Sequence, residues 1–309
     1  MHEPLVSVVM SVHNEEQFVA DAINSILRQD YAHLELIIID DYSTDNSVEI
    51  CRSFTDPRIR IAVKQDEPRY LAASRNIGVA LALGEYVTFQ DADDLCDPAR
   101  VRLQLELALQ NPGRIVAGCS IVRTRENHAQ TWTMPAQHDQ IVRGFHRTFN
   151  RTTIVGATLL GPTQAFRRTP YRESFRYMQD WDQLLRMYES GEVRFCNTTQ
   201  PLYTYVIRPK GVLNDPLWLD YNILVRHCQH RRRAALPEFL TPEALADHLR
   251  RHPLERLRWD GLKSLIKMRN RRKPATSNTS SRATSAVNHL SVKPALTTME
   301  HPHRHERQT

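Results

Sequence analysis

Leu5 to Val12 is an almost continuous apolar run closed by His13-Asn14-Glu15-Glu16, after which Phe18, Val19, Ala22, Ile23, Ile26 and Leu27 recur at helical intervals. The first is the pattern of a strand buried on both faces, the second that of an amphipathic helix. The alternation repeats. Leu34 to Ile39 reads as a strand stopped by Asp40-Asp41, and Ser43-Thr44-Asp45-Asn46-Ser47 supplies capping residues before the apolar positions Val48, Ile50, Cys51 and Phe54. Ile59 to Val63 predicts a third strand, Leu71 to Leu83 a helix and Tyr86 to Phe89 a fourth strand. This β-α-β-α-β-α-β rhythm predicts an α/β fold with a doubly wound sheet and right-handed crossovers.

Farther along, Val101, Leu103, Leu105, Leu107 and Leu109 are spaced by two, which also fits a strand, but the length and the Glu, Gln and Arg content favour a helix. Asn111-Pro112-Gly113 ends it, and Ile115 to Gly118 reads as another strand. Residues 123–153 are polar and irregular and are expected to form a loop. A helix is expected to open on the acids of Gln179-Asp180-Trp181-Asp182, where the positive helix terminus favours ionised carboxylates. Residues 216–269 look helical, broken at Pro237, Pro242 and Pro253.

Composition narrows the class. The 309 residues contain no stretch of about 18 apolar residues that would span a membrane. Met1-His2-Glu3-Pro4 lacks the features of a signal peptide, so a cytoplasmic protein is expected. The five cysteines, Cys51, Cys96, Cys119, Cys196 and Cys228, form no Cys-x-x-Cys pair and predict reduced core thiols. The net charge of +6 is unevenly placed: residues 226–273 hold 14 Lys and Arg against 5 Asp and Glu, whereas residues 1–225 hold 23 against 28. A mildly acidic body, a basic helical extension and a tail at 274–309, rich in Ser, Thr, Asn and Pro and expected to be disordered, follow from this split.

The body's acids lie at strand ends. Ser11 to Asn14, Asp40-Asp41 and Asp91 to Asp94 would share the carboxyl edge of the sheet, where open α/β sheets bind ligands. Asp91-Ala92-Asp93-Asp94 can aim alternate oxygens at one hard cation, Mg2+ or Mn2+, or can be a solvated acidic turn. No glycine-rich phosphate loop follows the first strand, so any bound diphosphate needs another source of positive charge.

Taken in order, these segments resemble the inverting GT-A glycosyltransferases of family 2. Val8-Val9-Met10-Ser11-Val12-His13-Asn14-Glu15 is similar to that family's opening strand and turn. Ile37 to Asp45 resembles its second strand with the following S-T-D cap, and Ser74-Arg75-Asn76-Ile77-Gly78 its A-R-N-x-G stretch. Gly84 to Asp94 resembles the G-E-Y-x-x-F-x-D-x-D-D core, and Gln179 to Asp182 with Arg186 the E-D-W-D-x-x-x-R block. The likeness covers about residues 5–208. It implies a Rossmann-like mixed sheet flanked by helices, with a nucleotide-sugar half at 1–110, an acceptor half at 111–225 and the helical extension at 226–273.

The resemblance also implies roles. Asp41 would accept the imide N–H of a uracil, thymine or guanine base, while Ser11 and His13 line the nucleoside pocket. Arg75 would pair with the donor's phosphate or sugar, or be an ordinary helix-surface arginine. Asp91 would hold the ribose or a metal-bound water, Asp93 the Mg2+ or Mn2+ ion, and Asp180 would be the general base. Asp182 reads as a surface acid at the helix start. Two departures stand out: Gln179 replaces a common Glu, and Tyr205 to Lys210 lacks a frequent His, leaving Arg208 or Lys210 to neutralise phosphate.

The implied activity is inverting transfer from a nucleotide-diphosphate sugar, a UDP-sugar foremost, to a glycan or lipid-linked hydroxyl in cell-envelope or exopolysaccharide synthesis. A sugar-phosphate nucleotidyltransferase and a non-catalytic nucleotide-binding scaffold are the alternatives. The final helix, with Leu254, Leu257, Leu262, Leu265 and Ile266 opposite Arg256, Lys263 and Lys267, suits either peripheral contact with an anionic membrane or packing on the body. No nucleic-acid module accompanies Arg231-Arg232-Arg233. His301, His303 and His305 read as tail composition.

Overall fold

The computed structural model describes residues 3–64, 70–110, 114–125, 128–145, 153–208, 215 and 217–271. The expected tail at 274–309 and Lys210 therefore lie outside the described residues.

The first half follows the alternation of the sequence: β1 Val6–Val12, α1 Val19–Leu27, β2 Leu34–Asp40, α2 Ser47–Ser53, β3 Ile59–Val63, α3 Tyr70–Leu81 and β4 Tyr86–Asp91. A short β5, Leu95–Cys96, precedes α4, Arg100–Leu109, which settles the spacing-of-two ambiguity as a helix. β6 (Arg114–Arg125) and β7 (His128–Trp132) come next, followed by α5 (His138–Phe145), a 3-10 turn at Gly156–Thr158, β8 (Leu160–Pro162) and α6 (Thr163–Arg168). α7 (Gln179–Glu189), β9 (Val193–Val206), α8 (Leu217–Arg233), α9 (Pro242–Arg251) and α10 (Pro253–Arg271) complete the order.

The strands form one mixed sheet in the order β3-β2-β1-β4-β8-β6-β9-β5, with β7 paired to β6. β3, β2, β1 and β4 are parallel, whereas β8 is antiparallel to both β4 and β6. Helices cover both faces. Val6, Val8, Met10 and Val12 of β1 pack with Val19, Ile23 and Ile26 of α1 and with Val101 and Leu105 of α4. The opposite face joins Val9, Val87 and Phe89 to Ala72 and Val79 of α3, Phe166 of α6 and Leu184 of α7. This is the expected α/β sheet flanked by helices.

Two expectations need correction. The described residues of 123–153 are not an irregular loop: β6 runs on to Arg125 and pairs antiparallel with β7. The exposed polar face of His128-Ala129-Gln130-Thr131 conceals that strand. α5 follows, burying Ile141, Val142 and Phe145 on one face. The boundary at 225/226 falls inside α8, and Met1–Lys267 is one compact unit. Ile223, Leu224 and Cys228 of α8, Leu245 of α9 and Trp259 of α10 belong to the same core as Phe89.

The breaks expected at Pro242 and Pro253 are helix starts. Proline fits the first turn, where its missing N–H costs no hydrogen bond. Thr241 caps α9, its side chain accepting from Ala244 N at 3.2 Å. All five cysteines are free and four are buried, and burial pushes the Cys51 thiol up to about 12.

α3 lies unusually close to β1 because Gly78 faces Val9; a Cβ there would come within 2.2 Å of Val9 Cγ1. Gly78→Ala should therefore force α3 off the sheet and destabilise the fold by about 1–3 kcal/mol. Urea denaturation checks this, and an unchanged midpoint would show that the close approach does not matter.

Candidate functional site

Parallel register gathers the chemistry at one edge. Ser11 of β1 sits opposite Asp91 of β4, and Val12 sits opposite Asp40 of β2. With β2 on one side of β1 and β4 on the other, consecutive crossovers leave on opposite sides, and the crevice opens at the carboxyl ends of these strands.

The loops after β1 and β2 are tied to each other. Asn14 N donates to Ser43 Oγ at 3.0 Å, Glu15 N to Ser47 Oγ at 2.8 Å and Thr44 N to Asn14 Oδ1 at 2.8 Å. Asn14 and Tyr42 both have positive φ, 56° and 65°, which marks a backbone held by its surroundings. His13 Nδ1 is 2.7 Å from the Asp41 carbonyl; a carbonyl only accepts, so Nδ1 carries the proton and the ring is fixed. Asp40 Oδ2 accepts from Ser43 N at 3.2 Å, a local turn role. Asp41 is buried and paired through Oδ1 with Lys64, whose side chain is itself only 8% exposed. Ser11 Oγ is buried with no protein partner, a hydroxyl available to a ligand.

The acids after β4 meet two guanidinium groups. Arg75, 3% exposed and not on the surface, reaches from α3 to donate to Asp91 Oδ1 at 2.8 Å. Its guanidinium lies 5.1 Å from the Phe89 ring centroid and 5.6 Å from that of Tyr171. Arg208, just beyond β9, makes a two-pronged contact with Glu15 at 2.8 and 2.7 Å and a short ion pair with Asp93. Asp94 Oδ1 accepts from Val206 N at 2.8 Å, while its Oδ2 is buried and unpartnered.

Burial and neighbouring Asp91 raise Asp93 to about 6 despite Arg208. Burial together with Asp91 and Asp93 raises Asp94 to about 9. Asp94 thus holds a charge less readily than an ordinary aspartate. Glu15, Asp91 and Asp93 still outnumber the two guanidiniums, and all the donors are oxygens. That set fits a hard divalent cation held by Asp91 and Asp93.

Asp180 closes the far wall. It occupies the first turn of α7, whose preceding residue, Met178, is left-handed at φ 61°. Its Oδ1 accepts from Trp181 N at 2.8 Å, and Trp181 is buried edge-on against Phe145 at 5.1 Å. The carboxylate is partly exposed yet surrounded by protein, and burial raises its pKa against the pull of Arg75. A Cβ on Gly156 would lie 2.5 Å from Asp180 Oδ2, so only glycine leaves room for the carboxylate.

Asp182, by contrast, is fully buried and bonded to Arg186 at 2.8 Å, with Arg172 at 3.5 Å, and holds the helix rather than facing the crevice. Gln179 is buried with Oε1 unpartnered. Parallel register thus brings Ser11 and Asp91 together, Arg75 joins Asp91 and lies within electrostatic reach of Asp180, Asp93 follows two residues on, and His13 meets Asp41 beside them. Sequence reasoning gave no role to Glu15, Lys64 or Gly156. Lys64 had one signal, as the first cation after β3.

Comparison with known proteins places this geometry in context. Residues 7–175 match the family described as Glycosyl transferase family 2. The putative glycosyltransferase EpsE of Bacillus subtilis is 32% identical over 209 residues, covering 65% of this chain and 72% of that relative. An uncharacterized glycosyltransferase of Haemophilus influenzae is 41% identical over 115 residues, 36% of this chain and 45% of the relative. Glycosyltransferase GlyG of Streptococcus pneumoniae is 34% identical over 116 residues, covering 37% and 38%. The chain thus spans less than half the length of these last two relatives. Among solved structures, S. aureus TarS 1-349 in complex with UDP-GlcNAc superposes with a TM-score of 0.58 at 16% identity, covering 71% of this chain and 65% of that one. The same fragment in complex with UDP gives 0.55 at 16% identity, covering 72% and 63%. At such identity the likeness is one of fold, and the shared plan is GT-A. With more than half of its residues inside the family match, the chain belongs to glycosyl transferase family 2.

Proposed function

We propose that the protein is an inverting glycosyltransferase that moves a sugar from a nucleoside-diphosphate donor, a UDP-sugar first, to a hydroxyl of a glycan or lipid-linked acceptor. The observation that carries this reading is Asp180: a partly exposed carboxylate, made more basic by burial, on the wall of the cleft that holds Asp91, Asp93 and Arg75. An inverting transfer needs one such base. As the acceptor oxygen bonds to the anomeric carbon, its proton passes to Asp180. The bond from that carbon to the diphosphate oxygen breaks on the opposite face, and the nucleoside diphosphate leaves with the electron pair.

Arg75 and Arg208 are the protein's own positive groups beside the leaving diphosphate, where developing charge makes them most effective. A Mg2+ or Mn2+ ion held by Asp91 and Asp93 would add positive charge there. Arg208 already occupies Asp93, so an arriving ion and this guanidinium compete for the same carboxylate. Asp41 would read a base imide N–H, with Ser11 and His13 lining the nucleoside pocket. The UDP carried by TarS in its complexes supports uracil as that base. The nucleotidyltransferase alternative has no support in the family relationship.

Peripheral membrane contact is part of the same proposal. No described helix is long and apolar enough to cross a membrane. α10 packs through Trp259 and leaves Leu254 and Leu257 83% and 67% exposed, an apolar edge suited to a lipid surface.

Thermal melts with UDP, GDP, dTDP, ADP and CDP, each with and without Mn2+, should show a metal-dependent rise for UDP and none for ADP or CDP. Asp93→Asn should remove the metal dependence, and an unchanged response would take Asp93 out of the ion site. Asp180→Asn should keep the UDP response while lowering transfer at least about a hundredfold. Because the base works only when ionised and burial raises its pKa, the acidic limb of the rate profile should lie above the ordinary aspartate value. Full activity of the Asn variant would end its assignment as base. Cosedimentation with phosphatidylglycerol vesicles should fall when Leu254 and Leu257 are both changed to Glu, and equal sedimentation would exclude that edge.

A further inference from the structure

Far along the chain, three side chains with no part in the cleft converge. His227 on α8, His248 on α9 and Glu255 on α10 each come from a different helix. His227 Nε2 is 2.8 Å from Glu255 Oε1 and His248 Nε2 is 2.8 Å from Glu255 Oε2. One ligand atom from each lies within 4.8 Å of the others. We propose that His227, His248 and Glu255 bind a divalent transition-metal ion of the zinc class that pins the last three helices together.

The geometry is close to what such an ion requires. Zinc bonds of about 2.0–2.2 Å to nitrogen and oxygen place tetrahedral donors about 3.3–3.5 Å apart, so the three atoms need to close by at most about 1.5 Å. The rings are already oriented. His227 is fully buried, with its centroid 5.1 Å from Trp259 and 5.5 Å from Phe239. His248 stacks on His252 at 4.1 Å and lies 4.7 Å from Phe239. Both Nε2 atoms therefore point at one carboxylate from fixed positions, with little side-chain freedom left to lose on binding.

Donor chemistry separates this site from the cleft. Two imidazoles and a carboxylate suit zinc, copper or nickel, whereas the all-oxygen acids at the end of β4 suit magnesium or manganese. The competing arrangement is a metal-free latch in which both Nε2–H groups donate to Glu255. It holds the same three helices by hydrogen bonds alone and predicts no gain from zinc.

The test is zinc titration of the full-length, chelator-stripped protein by calorimetry and thermal melting, with excess Mg2+ present and His301, His303 and His305 changed to Ala. One equivalent of Zn2+ should bind and raise Tm. His248→Ala and Glu255→Gln should each weaken binding at least tenfold and abolish the rise. Glu255→Gln keeps side-chain volume and one acceptor, so a metal-free Tm near that of the parent shows that its fold is intact. Asp93→Asn should bind Zn2+ as the parent does; loss of binding there would move the ion to the cleft and overturn the proposal. Failure of the parent to take up Zn2+, or unchanged uptake by both His248→Ala and Glu255→Gln, would also overturn it and leave the latch.

Discussion

Repulsion among Glu15, Asp91, Asp93 and Asp94 is the constraint around which the acidic sheet edge is built. Two unit charges about 4 Å apart at an effective dielectric of about 20 interact by about 4 kcal/mol, a large share of a domain's margin of about 5–15 kcal/mol. The fold answers the four acids with three devices. Arg75 from α3 meets Asp91, Arg208 after β9 bridges Glu15 and Asp93, and Asp94 is buried against Val206 N. The devices come from α3 and from the end of β9. The packing of α3 on β1, which needs Gly78, thereby becomes part of the site's electrostatics.

Much of this was legible locally and some of it was not. The elements from β1 to α4 announced themselves because each satisfies its own period, and the strand-end acids followed from the alternation. Asp180 was legible through its block of neighbours and through its position at a helix start. What escaped depends on pairing distant in sequence. β7 has a polar, exposed face and becomes a strand only by lying against β6. Lys64 looks like a strand-end cation until parallel register brings it to Asp41. Glu15 gained its partner from 193 residues away, and Gly156 matters only because α7 presents Asp180 to it.

The basic C-terminal segment shows how charge counts mislead without contacts. Part of its charge is spent inside the protein: Arg232 pairs with Glu189 at 2.6 Å and Glu238 at 2.5 Å, and Arg233 reaches Glu189 at 3.5 Å. Those arginines hold α8 to α7 and are not a cationic surface. The helices they bind belong to the main core, since Ile223, Leu224 and Trp259 share one cluster with Trp181, the residue whose N–H holds Asp180.

The insertion of β8 between β4 and β6 reaches into how the chain is made. A sheet whose middle is completed by residues 160–162 and whose edge pairs Leu95 with Thr204 cannot be finished in the order of synthesis. While the ribosome is still translating the second half, β1 to β4 are available, but Asp93 has no Arg208 and Asp94 no Val206. Until β9 emerges the nascent acidic edge lacks both contacts, so the last strand made is the one that completes its charge balance.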